Sequence, residues 1–470
     1  MGRRVTGVLL IAIAAAAVVG AIQAAPTKSG PPLLYTVTKR YEPLAWIRGA
    51  DRFPKGASIF LQMGGGRRPL VPGFSASADP TVSFDGTHVL FAGKRHTRDH
   101  WQVWEITVSG ASPRQVTACT DDCVRPFYLP ESRLVYAHRI HGSFVMEAAP
   151  LAGEERLRLS YLPGNFFPSD VLHDGRVLFE AVYPLGASST PELYTVYPDG
   201  SGVESYRCDH GNARYEGRQI GSGDIIFAQR QGMARFTSAL AHEVPVALPA
   251  GDYAGDVIEA SDGDWLVAER AKLSQHFQIS RWKPGGRRLT TVASSPHEDV
   301  IEPTIVSEKS APNRFPSALH DWNYANLLCL NAYSSKSSFL GGSIASVRLY
   351  TRGTNSEPVM LGTAHVEQDG SFYLRTPADQ PLKIELLDGS GKTLKKEAGW
   401  FWLRKGEQRV CVGCHAGPEA APENALPQVL QRSTVAADMT KIPAPVLNAE
   451  RHVMVQRHRV VKTPSSAGGH

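Results

Sequence analysis

The chain has 470 residues, 42% of them hydrophobic and 20% charged. That length exceeds what one core can organise, and the composition excludes disordered and fibrous classes, leaving a globular protein of two or three domains. A formal net charge of +5 is small for this length and gives no reason to expect nucleic-acid binding, while 43 Gly and 33 Pro favour frequent turns and short strands.

At the N-terminus, Arg3 and Arg4 precede an uncharged run, residues 5 to 22, rich in Ala, Val, Ile and Leu. Ala24, Ala25 and Pro26 follow it. This is the layout of a secretory signal over 1–25. The run is also long enough to stay as an uncleaved membrane anchor, the one membrane contact expected. Either way the body of the protein is expected outside the cytoplasm, periplasmic or extracellular.

Residues 40–310 carry a repeat. "VLFAGKR" at 89, "LVYAHR" at 134, "VLFEAV" at 177, "IIFAQR" at 225 and "WLVAER" at 265 are short β-rich runs. Three of them follow a turn: "FDG" at 84, "HDG" at 173 and "SDG" at 261. Pro-marked strand starts such as "SADPTVSF" and "CVRPFYLP" lie upstream of several. From Phe91 through Tyr136, Phe179 and Phe227 to Val267 the steps are 45, 43, 48 and 40 residues. Such a period, with several strands per unit, predicts a β-propeller, because one blade cannot bury both its faces alone. Five units are clear. A sixth is expected from residues 298 to 306 and 56 to 63; the reading is six blades, with seven as the alternative. The recurring Arg95, Arg139, Arg230 and Arg270 are read as ion pairs that tie the repeats, in preference to a basic channel mouth. His138, His141 and His173 are read as isolated histidines. Cys119 and Cys123, four apart with no third ligand in sequence, are read as a local disulfide in preference to half a metal site.

The repeat stops near 306, and "SEKSAPNRFPS" reads as a linker. Residues 323–405 alternate well, with Phe372 and Leu374, then Leu382, Ile384 and Leu386, on single faces. "QDGS" and "LDGSGK" are hairpin turns, so a small antiparallel β-sandwich is expected. Cys329 falls in its first strand as a buried thiol, with a disulfide to Cys208 an unsupported option.

Residues 406–445 hold the chemistry, in an expected irregular or helical segment. "RVCVGCH" places Cys411, Cys414 and His415 in a Cys-x-x-Cys-His motif. That spacing suits one covalent haem c: two thiols reach the two vinyl groups, and the adjacent imidazole binds iron. A thioredoxin-type pair needs a βαβ context, and a Cys₄ zinc site needs a second Cys-x-x-Cys; the sequence offers neither. For the sixth iron ligand, Met439 is close in sequence. His452, Met454 and His458 follow it, and His320, Met360 and His365 precede the motif. Arg404, Lys405 and Arg409 are read as partners for haem propionates or as surface charge. Residues 446–470 read as a basic, flexible tail.

The repeats resemble the "DPxxSPDGxxIxF" blades of the TolB family. The order of propeller, "NLLCLNAY", "VEQDGSFYLRTPADQPLKIELLD" and "GEQRVCVGCH" resembles the hydrazine synthase alpha-subunit family, within it the middle domain, over about residues 50 to 425. The resemblance implies a periplasmic propeller carrying a haem c domain, with Cys411 and Cys414 holding the haem. In the hydrazine-forming enzyme a tyrosine four residues beyond the motif histidine ligates iron, and the histidine turns to zinc. Here Glu419 holds that position, so His415 is assigned to iron. The family enzyme also carries a further haem domain, and this sequence has no second Cys-x-x-Cys-His. Both departures point away from hydrazine synthesis. The expected function is an exported monohaem c-type cytochrome passing electrons to or from a redox partner protein, with the propeller as docking scaffold. One alternative is a haem-dependent oxidoreductase acting on a small nitrogen or oxygen compound that reaches iron down the propeller channel. The other is a propeller binding module whose haem is structural.

Overall fold

The computed structural model describes residues 30–110, 113–153, 155–182, 190–207, 212–239, 241–335, 342–353, 357–397, 399–413 and 425–441. The signal segment 1–25, Cys208, Cys414, His415, Glu419, His452, Met454, His458 and the tail lie outside the described residues. Among the described residues no helix is long and apolar enough to cross a membrane.

Residues 33 to 305 form four-stranded antiparallel sheets, six among the described residues. Five run outward in chain order. The sixth is closed by both ends of the domain: Leu33–Thr38 lies between Asp299–Ile305 and Ser58–Met63. Residues 298–306 and 56–63 thus share one sheet as read, with a strand between them that begins before residue 40. The innermost strands, Ala76–Val82, Cys123–Leu129, Asn165–Val171, Tyr215–Gln219, Asp252–Glu259 and Asp299–Ile305, touch their neighbours in a closed ring. This is the β-propeller that the repeat predicts.

The propeller axis is filled. Residues 39 to 57 fold back over one face, where Tyr41, Trp46 and Phe53 pack with Trp101, Phe144, Phe167 and Phe277 from four sheets. Trp46 stacks on Phe167 at 4.9 Å between centroids. Successive hairpin turns alternate between the two faces, and the linker after residue 306 runs along the turns of the opposite one. There Lys309 N–H donates to Phe84 O (2.9 Å) and Asn313 N–H to His173 O (2.9 Å). The expected linker is pinned along that face, and the axis is no route for a substrate. That corrects the channel part of the oxidoreductase alternative: seven aromatic rings and their backbone occupy the space a molecule would need.

Two further four-stranded sheets make the sandwich. One is ordered Gln408–Cys411, Tyr324–Cys329, Phe372–Pro377, Ala437–Asp438. The other is ordered Pro358–His365, Ser346–Arg352, Leu382–Leu387, Thr393–Lys396. Leu327, Cys329, Phe372 and Leu374 face Val347, Leu349, Leu382 and Leu386 across the core. The sheet is not wholly antiparallel. Gln408–Cys411 runs parallel to Tyr324–Cys329, and Ala437–Asp438 parallel to Phe372–Pro377. The segment read as irregular or helical therefore supplies both edges of a sheet. Its described helix is five residues long, Gln428–Arg432. Gly406, at φ 74°, turns the chain into the first of these edges; a Cβ there would meet His320 O at 1.8 Å.

Candidate functional site

The strand Gln408–Cys411 ends at the first motif cysteine. Its residues alternate exposed and half-buried, so Arg409 and Cys411 share the inward side. Cys411 pairs in register with Cys329 of the neighbouring strand and is in no disulfide. Burial pushes the Cys411 thiol up, opposed by the Arg409 guanidinium. Cys414 and His415, the other two motif residues, lie outside the described residues.

What fixes this strand is the seam between sandwich and propeller. Trp402 is fully buried against Phe166, Phe179 and Tyr194 of the third sheet, and its Nε1–H donates to Gly200 O (2.9 Å). Arg404 donates to Asp199 O (3.1 Å) and to Asp379 Oδ1 (2.6 Å), and contacts the Tyr161 hydroxyl. Arg409 donates to Val203 O (3.0 Å) and to Glu407 Oε1 (2.8 Å). Glu407 in turn accepts from Gly202 N–H (3.1 Å). Gly200 sits at φ 85°, and a Cβ there would come within 2.9 Å of the Arg404 side chain, so the close approach needs glycine. Arg404 and Arg409 are thus interface residues already committed to protein oxygens, and neither is surface charge.

Beside the seam lies a cleft of about 560 Å³, walled by Arg176, Tyr197, Glu204, Phe315, His320 and Arg409. Tyr197 and Phe315 stack at 3.7 Å between centroids. Arg176 pairs with Glu204 (2.6 Å) and Asp174 (2.8 Å). Burial raises Glu204 despite that partner. His320 is exposed and stacks on Trp322 at 4.4 Å. Of the residues singled out as iron ligands, it alone both lies in the described part and lines this cleft.

The structure places Met439, the candidate sixth ligand, away from the motif strand. It is buried in the sandwich interior, and its sulfur lies against Gly362, where a Cβ would meet it at 2.3 Å. It follows the strand on the far edge of the sheet, three strand spacings or about 14 Å from Gln408–Cys411. Met360 and His365 are exposed on the other sheet, and His365 lies 3.8 Å from Glu367. Among the recurring arginines, Arg139 pairs with Asp122 (3.1 Å) and Arg270 with Asp252 (2.6 Å). Arg95 covers Phe74 and Trp104 instead, and Arg230 is exposed. Cys119 and Cys123 are disulfide-bonded.

A second polar assembly went unread in the sequence. Asp79, Arg125, Glu216, Asp256 and Glu302 recur in five of the six innermost strands, each at φ between 53° and 58°. All five strands shift register at or beside that residue in pairing with the neighbouring strand of their sheet. A left-handed non-glycine residue is costly, and its N–H leaves the ladder. Neighbouring carboxylates satisfy it: Asp79 N–H donates to Glu302 (2.9 Å), Arg125 N–H to Asp79 (3.0 Å) and Glu216 N–H to Glu180 (2.6 Å). Arg52, entering from the capping segment, pairs with Asp79 and with Glu302 (3.2 Å). Arg125 holds Glu216, and Arg218 holds Asp256 (2.5 Å). With more carboxylates than guanidiniums in this dry space, burial pushes Glu180 and Glu302 up to about 8, each helped by a neighbouring anion. Asp256 is held down at about 2: burial opposes this, and Arg218 and Arg125 outweigh it. The cavities beside the ring are about 20 Å³ each, room for a single water. The sequence signal was the acid or arginine before the strand-start proline in "ADP", "VRP" and "IEP".

Residues 344–416 match the family described as the hydrazine synthase alpha subunit middle domain. Over 58 residues, 12% of this chain, the sequence is 34% identical to hydrazine synthase subunit alpha of Kuenenia stuttgartiensis. That stretch spans only 7% of the relative's length. The solved Kuenenia stuttgartiensis hydrazine synthase has the same fold over 86% of this chain and 72% of that one, at TM-score 0.73 and 16% identity. TolB from Acinetobacter baumannii covers 58% of this chain and 66% of its own at TM-score 0.44 and 13% identity.

Proposed function

We propose that this chain, a hydrazine synthase alpha-like propeller protein carrying that family's middle domain, is an exported monohaem c-type cytochrome. The observation that carries the reading is the setting of Cys411: an unbridged, half-buried cysteine opening Cys-x-x-Cys-His on a pinned edge strand, close to a cleft of about 560 Å³. The donor set fits the group. Cys411 and Cys414 would hold it by thioether bonds, and His415 would ligate its iron. Bound there, haem supplies one-electron transfer at iron. The chain's own part is to hold the motif still and set the local charge. The Trp402, Arg404 and Arg409 contacts clamp the strand from the propeller side. Arg176 and Arg409 bring positive charge to the cleft wall, and Glu204 and Glu407 balance it. A partner of the redox type would meet the protein on the cleft side, since the propeller axis is closed.

A haem-dependent oxidoreductase acting on a small nitrogen or oxygen compound is the second reading. The cleft favours it, because the space lined by Gln408 and Arg409, on the strand that ends at Cys411, would admit such a molecule from outside, without passage through the propeller. One experiment separates the two. The chain is expressed with haem-maturation machinery, and spectra are recorded oxidised, reduced, and reduced with CO. One haem resistant to acid-acetone extraction, low-spin and indifferent to CO, supports electron transfer. High-spin iron that binds CO supports the oxidoreductase. A denatured chain whose mass matches the bare polypeptide removes both.

A further inference from the structure

We infer that Cys119, Cys123 and His138 form a redox-gated site for a thiophilic divalent cation such as Zn²⁺, separate from the Cys411 motif. The disulfide is the closed form. Two equivalents of a small thiol reduce it: two electrons pass to the sulfur pair, two cysteine thiols form, and the small thiol leaves as its own disulfide. Cation binding then displaces the two thiol protons.

The geometry supplies the ligands. Cys123 and His138 are cross-strand partners on adjacent strands of the second sheet. The two sulfurs and one ring nitrogen of His138 lie within 4.8 Å of one another. His138 is 6% exposed, and both its ring nitrogens are buried without a hydrogen bond. A buried polar atom with no partner costs free energy, and something must return it. Of the two, Nδ1 faces Glu147 Oε1 at 3.1 Å, an ion-pair distance. Glu147 also accepts from the Tyr136 hydroxyl (2.9 Å). Carboxylate, imidazole and cation in line is the arrangement that orients a histidine ligand and raises its basicity. With Nδ1 facing Glu147, Nε2 is the nitrogen left for the cation.

The loop is also held in place for this. Cys119 N–H donates to Gln102 Oε1 (2.8 Å), and Gln102 Nε2 donates back to Cys119 O (3.1 Å). The Arg156 guanidinium lies 3.9 Å from Cys119 Sγ and donates to Ala118 O (2.9 Å). A cation beside that sulfur favours the thiolate, the form that binds metal. Asp122, between the cysteines, is committed to Arg139 and to Trp101 N–H (3.0 Å), so it is not a fourth ligand. Two thiolates and one imidazole leave one position open, which water or an outside ligand fills.

The test uses the full chain carrying Cys411→Ser and Cys414→Ser, so that the haem motif contributes no sulfur. The protein is reduced with a phosphine, desalted under argon and titrated with Co²⁺. The expected result is a thiolate-to-cobalt band with tetrahedral visible bands saturating at one equivalent, bleached by Zn²⁺ and lacking in the oxidised protein. Cys123→Ser should abolish the band, and His138→Gln should weaken Co²⁺ binding. Glu147→Gln, which keeps the packing, should weaken it about 10-fold or more. A reduced chain with native circular dichroism and no such band overturns the inference, and so does a band that survives both Cys119→Ser and Cys123→Ser.

Discussion

The propeller axis and the sandwich seam are both lined with ionisable side chains, and they have opposite consequences. On the axis, Arg52, Arg125 and Arg218 meet five carboxylates in space that holds at most single waters. At the seam, Arg176 and Arg409 meet Glu204 and Glu407 beside a cleft of about 560 Å³. The axial charges replace a channel; the seam charges border one. The centre of the ring in this protein is therefore a structural joint, and the open space lies where the second domain leaves a gap.

The contrast can be broken first at the axis. Arg125→Ala would leave Glu180 without its guanidinium and Glu216 with only Arg52 at 4.0 Å, and should cost about 3–5 kcal/mol in denaturant unfolding. A loss under about 1 kcal/mol would mean that the axial charges are dispensable. Trp402→Ala tests the seam's apolar anchor. It should cost about 3–5 kcal/mol at most, and it should split unfolding into separate propeller and sandwich transitions, whereas Arg125→Ala should not. A single shared transition in both variants would erase the distinction between joint and seam.

The pH dependence sharpens the comparison. Glu180 and Glu302 have folded-state values of about 8, above the ordinary glutamate value. Their contribution is fully present below the unfolded value and is lost as pH rises through about 8. Stability should therefore fall between about pH 5 and pH 9, and Glu302→Gln should flatten that slope. Asp256, held at about 2, acts in the other direction, and its contribution is lost only in strong acid. A midpoint that rises from pH 5 to pH 9 would refute this account of the axis. The smallest effect belongs to Arg176→Ala: its acids are partly solvated, so stability should change by about 1 kcal/mol or less. If haem is attached, this change should move the reduction potential more than the melting temperature.

Much of the fold was legible because it is periodic. The "VLFAGKR"-type phrases locate the second strand of each of five sheets, and the alternation of Leu382, Ile384 and Leu386 locates a sandwich strand. What was hidden has no period. Residues 39 to 57 carry Tyr41, Trp46 and Phe53 without helical or strand spacing, and their burial depends on a cap that only the closed ring creates. Gln408–Cys411 is too short to announce a strand; its partner is eighty residues upstream in sequence and runs parallel to it. Cys411 was named from its motif, but that Arg404 and Arg409 would turn to the propeller could not be read from neighbouring residues. Met439 shows the opposite case, since its nearness in sequence to the motif says nothing about which sheet edge the chain reaches next.

The strand Leu33–Thr38 has one neighbour early in the chain and the other at its far end. During synthesis it must wait, edge bare, until the last innermost strand emerges. A nascent chain cut anywhere before residue 299 would be an arc with two sticky ends, prone to pair with its copies. The segment that fills the hub emerges soon after that waiting strand, yet finds its seat only when the circle shuts.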